Sequence, residues 1–212
     1  WLLNIRGHDN PTSPIPNSRL IIGKDRTLLL ITERDNVQKI ITEKKISRNQ
    51  VISFQKFNEV INNLKGTNFI IDNKSCSVFS EKIITSKFKI LNKKDPIYRL
   101  KSIKNSSEIK HMIEAHKKDG LALTRFIYWI KNVNNKKLTE VDAQNKLEKF
   151  RRMSIDYLYP SFNTIAGTGS NGAIVHYRAT KKNTKKINPN DIFLCDSGGQ
   201  YKYGTTDVTR TI

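Results

Sequence analysis

Cysteine, acidic residues and long apolar runs are the scarce features of this 212-residue chain. The two cysteines, Cys76 and Cys195, show no zinc-ligand spacing, which removes a cysteine-based zinc site from consideration. A single disulfide between them stays open, while so low a count favours a reducing compartment and a small buried role for each. Cys195 precedes Asp196 in an apparent strand, so their side chains are expected on opposite faces. No apolar stretch approaches the ~20 residues of a membrane helix, and no membrane partner is expected. The chain opens on Trp1-Leu2-Leu3 without a methionine or a charged stretch before a short apolar core. We therefore read no signal peptide there and expect a cytoplasmic protein, with this sequence the interior of a longer polypeptide.

Acidic side chains number 19 against 38 lysines and arginines, a formal net charge of +19. A polyanion such as nucleic acid is one partner such a charge implies. Lysine, asparagine and isoleucine are used heavily throughout, however, and the lysines are spread over both halves. The densest cluster, Lys181, Lys182, Lys185 and Lys186, falls in a polar segment that reads as a hairpin loop. No aromatics are interleaved with it to form a single-strand platform. Background bias is thus the expected source of the charge, and nucleic acid is not the expected partner. With 37% hydrophobic and 27% charged residues, the length suits one large globular domain or two small ones.

Residues 1–100 alternate short apolar runs with helical patterns. Leu28–Thr32 and Asn68–Asp72 read as buried strands, while Phe57, Val60, Ile61 and Leu64 recur at helical spacing between them. This alternation predicts a small α/β domain. The proline-rich segment from Asp9 to Pro16 reads as a loop. A boundary falls between Asp95 and Asn105, which divides the chain into domains over 1–100 and 101–212. Asn105-Ser106-Ser107-Glu108 then has the form of a capping box. The following Ile109, Ile113, His116, Gly120, Leu123, Ile127 and Ile130 predict one amphipathic helix of six to seven turns. Thr139-Glu140-Val141-Asp142 opens a second helix, with Leu147 and Phe150 facing inward. From Ser161 onward the pattern is strands and glycine-rich turns.

Several motifs carry little. Gly167-Thr168-Gly169-Ser170-Asn171-Gly172 fits the letters of a dinucleotide fingerprint, but a β-like run, Ala173–Tyr177, follows where a helix is required. The glycines more simply let a loop turn tightly beside a site. His111 and His116 stand five apart in the long helix, not the four of a helical zinc pair. His8 has no evident partner in the sequence. His176 is placed on a short strand twenty residues before Asp196 and is a candidate site residue through that neighbourhood.

The strongest feature is Asp196-Ser197-Gly198-Gly199-Gln200-Tyr201, followed by Gly204–Thr211 with Asp207 inside it. Two aspartates eleven residues apart across a glycine-rich reversal can meet on a hairpin. The plainer reading is turn chemistry, with Asp207 accepting hydrogen bonds from Thr205 or Thr209. Against it, the apolar run Ile192–Cys195 leads straight into Asp196, and a carboxylate buried there needs a cation or hydrogen bonds. Carboxylate oxygens suit manganese or magnesium, and a pair of such ions can hold a bridging hydroxide.

Ser161–Ile165, Asn171–Tyr177 and the two-aspartate segment together resemble aminopeptidase P, the Xaa-Pro aminopeptidases. Trp1–Gly7 is similar to a segment of the domain ahead of the catalytic one in these enzymes, and Asn105–Glu108 to the start of the catalytic domain. The resemblance implies a creatinase-like N-terminal α/β domain followed by the first half of a pita-bread catalytic domain. It also implies a dinuclear manganese site that releases an N-terminal residue preceding proline. On matching positions, Asp196 binds one metal, Asp207 bridges both, and His176 contacts the substrate near the scissile carbonyl. Arg210 is expected just behind these ligands. The family's remaining ligands, a histidine and two glutamates, are expected beyond the position matching Ile212.

These 212 residues alone are accordingly expected to lack activity, as a truncated product or one piece of a split enzyme. Peptides with proline second are the implied substrate, with a complementary C-terminal half or a second copy of the chain as further partners. The rival reading is a catalytically dead pita-bread module that binds RNA or an acidic protein, and a third is an unfolded remnant. Retention of Asp196, Asp207 and His176 together favours the enzyme.

Overall fold

A computed structural model of the chain describes residues 1–33, 37–43, 45–134 and 137–212. They form two compact units, one of Trp1–Asn10 and Pro14–Ile103, the other of Pro11–Ser13 and Lys104–Ile212.

The first unit contains β1 (Arg19–Ile22), β2 (Leu28–Ile31), α1 (Gln38–Thr42), β3 (Val51–Ile52), α2 (Phe57–Asn63), β4 (Asn68–Ile71), α3 (Val78–Thr85), β5 (Lys89–Asn92) and α4 (Pro96–Ser102). The predicted strands at Leu28 and Asn68, and the helix between them, are β2, β4 and α2. Strand β2 pairs with β1 antiparallel and with β3 parallel, and β4 pairs with β5 parallel. Parallel pairing requires crossovers, which contain α1 between β2 and β3 and α3 between β4 and β5. Ile31, Phe57, Ile61, Ile71, Ile84 and Phe88 form one core cluster, and Leu30, Val37, Ile40, Ile46 and Val51 another.

The second unit contains α5 (Ser106–Asn132), α6 (Glu140–Arg151), β6 (Tyr157–Pro160), β7 (Ile165–Thr168), β8 (Phe193–Ser197), β9 (Gly199–Tyr201), β10 (Gly204–Thr205) and β11 (Val208–Thr211). Both helices start where their capping boxes predict. The Asn105 side chain accepts from Glu108 N and the Glu108 carboxylate accepts from Asn105 N, with Thr139 and Asp142 doing the same for α6. The strands are ordered β11-β8-β7 and β10-β9-β6, all pairs antiparallel. Leu123 and Phe126 of α5, Ala143 and Leu147 of α6, and Ala166, Phe193 and Cys195 of the strands form the core between helices and sheet. Phe150 packs against this cluster, as its spacing predicts.

The buried stripe of α5 differs from the predicted one. It runs through Ala115, Asp119, Ala122, Leu123 and Phe126, while Ile109 and Ile113 are each 50% exposed. The displacement centres on Asp119, a charge that pattern reading assigns to the outside. It is fully buried because Arg151 of α6 reaches it with two hydrogen bonds, Nε to Oδ1 at 2.7 Å and Nη2 to Oδ2 at 3.1 Å. Tyr201 OH also donates to Asp119 Oδ1 at 2.9 Å, and Arg151 Nη2 donates to Ser197 Oγ at 3.0 Å. A buried ion pair tolerates its desolvation only when its remaining polar atoms are also satisfied, as these are. The two cysteines are free thiols, Cys195 buried and Cys76 half-buried. Among the described residues no helix is long and apolar enough to cross a membrane.

Candidate active site

The hairpin that leaves β8 returns along it as β11, with Asp196 in the first strand and Asp207 just ahead of the second. Cα register pairs Thr209 with Asp196 and Val208 with Ser197. Asp207 stands just ahead of β11, two residues before Thr209, the cross-strand partner of Asp196, and is exposed. The burial of β8 alternates residue by residue. Phe193, Cys195 and Ser197 are buried toward the helices, whereas Leu194 and Asp196 are half-exposed on the other face. Cys195 and Asp196 thus point apart, as expected. Asp196 is half-exposed rather than buried, because the strand's apolar residues fill the opposite face.

The chain reverses at Lys202–Tyr203, between β9 and β10, and Gly198 lets the two arms of the hairpin approach closely. A Cβ there would lie 2.0 Å from the Thr206 carbonyl oxygen and 2.3 Å from Ser161 Oγ. Ser161 Oγ donates to that same carbonyl at 2.8 Å, and Gly199 N donates to Thr206 Oγ1 at 2.9 Å. The turn-chemistry reading of Asp207 finds no support in the hydroxyls it invoked. Thr209 Oγ1 donates to Asp196 Oδ1 at 2.8 Å, and Thr205 Oγ1 donates to Gln200 Oε1 at 2.6 Å. Arg210 pairs across the ladder with Cys195, on the side away from Asp196, and its Nη1 donates to the Thr209 carbonyl at 2.7 Å.

His176 is not on a strand, and this corrects the β-like reading of Ala173–Tyr177. Gly169–Ala173 forms a short 3-10 helix, and His176 lies in the turn after it with φ of 55°. Ile174 and Val175, the residues that suggested a strand, are 52% and 83% exposed. Side-chain hydrogen bonds, not strand pairing, hold this segment. Absence of an α-helix after Gly172 agrees with the rejection of the dinucleotide fingerprint. The glycines do serve a close approach. A Cβ on Gly167 would meet Asn171 and Gly172 backbone atoms at 2.8–2.9 Å, and one on Gly172 would rest 3.4 Å from Leu194 Cβ. Leu194 shares the face of Asp196, so the loop leading to His176 packs on the side of the sheet that carries Asp196. His176 itself is exposed and makes no hydrogen bond to either of them.

The residue that sequence reasoning missed is Glu140. Its carboxylate is fully buried and accepts from Thr168 N at 2.8 Å, Lys185 N at 2.9 Å, Asn171 Nδ2 at 3.0 Å and Tyr177 OH at 2.8 Å. Its place in the first turn of α6 favours the negative charge. Burial, and then the hydrogen bond to Glu140, push the Tyr177 phenol up to about 12. An acid just inside a helix start was the available signal, but it reads equally as an exposed capping residue. His111 stacks on Tyr203 at 5.3 Å, and His116 Nδ1 contacts the Met112 carbonyl at 3.0 Å, so both histidines have local roles.

Among the described residues no group of three or more His, Cys, Asp or Glu side chains could hold a metal ion. Asp196 and Asp207 are carboxylates, each a hard oxygen donor. That donor type fits a divalent cation such as manganese or magnesium, in a number short of a full set for two ions.

Residues 1–108 match the creatinase/prolidase N-terminal domain, and residues 110–212 match metallopeptidase family M24. A probable Xaa-Pro aminopeptidase P of Sordaria macrospora is 37% identical over 100% of this chain and 37% of its own length. The X-prolyl aminopeptidase of Caenorhabditis elegans, described as a cytosolic enzyme with a di-nuclear active site, superposes with a TM-score of 0.85 at 26% identity. That match covers 100% of this chain and 36% of the nematode one. Prolidase from Pyrococcus furiosus gives a TM-score of 0.72 at 25% identity, covering 95% of this chain and 60% of its own. The chain spans about a third of the length of the curated relatives it matches. Its fold is thus a creatinase-like N-terminal α/β domain followed by a pita-bread segment.

Proposed function

Because this chain belongs to metallopeptidase family M24, with a creatinase/prolidase N-terminal domain ahead of the M24 segment, we propose that it is part of an Xaa-Pro aminopeptidase. The intact polypeptide would release the N-terminal residue of peptides that carry proline second, in the cytoplasm, as the nematode neighbour's cytosolic description supports. On this reading the second unit is the N-terminal half of the catalytic domain. The observation that supports the proposal is the register that pairs Asp196 with Thr209, two residues after Asp207, with Thr209 Oγ1 donating to Asp196 Oδ1.

In this reading Asp196 and Asp207 would be ligands of two divalent ions, preferably manganese, Asp196 serving one ion and Asp207 shared. When bound, the ions supply a Lewis acid for the peptide carbonyl and an activated water for its hydrolysis. Thr209 fixes the carboxylate of Asp196 by occupying one of its oxygens, so the other is presented in a set direction. His176 holds its imidazole free of other side chains on an exposed turn, where an N–H can donate to the oxygen of the scissile carbonyl as charge grows there. Further ligands would come from the remainder of the intact polypeptide, since two carboxylates cannot fix two ions. The 212 residues alone are therefore expected to be inactive.

The test is manganese content and Xaa-Pro peptide hydrolysis by the intact polypeptide. Asp196→Asn and Asp207→Asn should each lower metal content and cut kcat/KM by more than the ~10–100-fold typical of residues that merely support ligands. Metal-dependent hydrolysis that survives both substitutions would remove the proposal.

A further inference from the structure

We propose that Glu140 is a positioning residue for His176, an inference that rests on the reading of His176 as the group facing the scissile carbonyl. The turn that carries His176 has little of its own to hold it. Its backbone bonds are Ile174 N to Asn171 O and Tyr177 N to Ile174 O, each 3.2 Å. Ile174 and Val175 are exposed, so apolar packing does not anchor it either. Yet His176 adopts the left-handed conformation, which a residue with a side chain keeps only where its neighbours impose it.

Those neighbours converge on one carboxylate. Asn171, five residues before His176, donates its amide to Glu140 Oε1, and Tyr177, the next residue, donates its hydroxyl to Oε2. Asn171 Nδ2 also donates to the Tyr177 hydroxyl at 2.8 Å, which closes the ring of contacts. Thr168 N and Lys185 N bind the same carboxylate from the ends of the loop. Glu140 therefore clamps the turn on both sides of the imidazole without touching it. It belongs to α6, whereas Asp196 lies on β8 and Asp207 just ahead of β11. A carboxylate can accept all four donors, whereas a glutamine has one acceptor oxygen and adds two N–H groups of its own. Glu140→Gln keeps the volume and the helix but breaks the clamp.

The experiment uses the intact, manganese-loaded polypeptide and an Xaa-Pro peptide. Glu140→Gln should lower kcat by about 10–100-fold, the scale of a displaced catalytic group, with KM and metal content unchanged. In a His176→Ala background the same substitution should cost no further activity. Limited trypsin digestion, well below the melting temperature, should cut faster after Arg178 in Glu140→Gln than in the parent. An equal loss in both backgrounds would reduce Glu140 to general structural support and overturn the proposal, as would unchanged cleavage at Arg178. Parental kcat in His176→Ala would instead remove the reading of His176, and the digestion would still decide whether Glu140 holds the turn. If Glu140→Gln does not fold, Tyr177→Phe removes the hydroxyl that donates to Glu140 and accepts from Asn171, and carries the same comparison.

Discussion

The two units handle buried polarity in opposite ways. In the first, the buried polar residues among those described are Thr32 and Ser80, and the clusters around Ile61 and Val51 are otherwise apolar. In the second, Asp119, Glu140, Arg151, Thr168, Asn171, Ser197, Gln200 and Thr206 are all buried. Two networks account for most of them. One runs from Asp119 through Arg151 to Ser197, directly behind Asp196. The other gathers on Glu140 beneath the turn of His176. Apolar contacts are non-directional and allow small displacements, whereas fully satisfied polar networks hold one arrangement. The unit that carries the candidate site is the one built in the directional way, at the risk of large losses when a single partner is removed.

The largest effect should come from breaking the Asp119 network. Asp119→Ala leaves the Arg151 guanidinium buried without its partner and should cost about 3–5 kcal/mol. Trp129, which packs against the core of this unit, reports the transition in denaturant once exposed Trp1 is replaced by phenylalanine. Replacing the pair together, Asp119→Leu with Arg151→Met, should restore much of the loss. A double variant no more stable than the single would show that the pair contributes more than charge compensation.

Next in size is an apolar deletion in the first unit. Ile61, fully buried in α2, should cost about 2–5 kcal/mol as Ile61→Ala. Hydrogen exchange should then accelerate for amides of α2 and β4 while the Glu140 and Arg151 networks keep their geometry. Equal acceleration at Thr168 and Lys185 would erase the contrast between the units.

The smallest effect is alkaline. The folded Tyr177 phenol lies above its ordinary value, at about 12, because burial and then Glu140 favour the neutral form. A raised pKa gives stability that is complete below about pH 10 and is lost as pH rises through about 12. Tyr157 and Tyr201 are also raised, each first by burial, and lie in the same unit. Melting temperature should therefore fall with pH across this window, and Tyr177→Phe should flatten part of the decline. An identical slope in the variant would mean that Tyr177 does not carry this linkage.

Much of this architecture was legible without coordinates. Asn105 with Glu108 and Thr139 with Asp142 announced both long helices, because a capping box is a local motif whose donors and acceptors lie three residues apart. The strand at Leu28 and the strand at Asn68 followed from apolar runs for the same local reason. The two-aspartate segment, with its glycines, marked the candidate site that the proposed function uses. The readings that failed share a different cause. Ala173–Tyr177 has strand-like composition, but its conformation is imposed by Glu140, 37 residues from Tyr177. The stripe of α5 was misplaced because Asp119 is charged and its partner Arg151 is 32 residues away.

What the sequence by itself determined is the two capped helices of the second unit, the strands at Leu28 and Asn68 with the helix between them, and the chemical identity of Asp196, Asp207 and His176. Which charges lie inside was left to the tertiary structure, as were the face that carries Asp196 and the turn that His176 takes. The physical reason is range. Capping and alternation are satisfied within a few residues, but a buried carboxylate or guanidinium is tolerated only when donors and acceptors from distant segments converge on it.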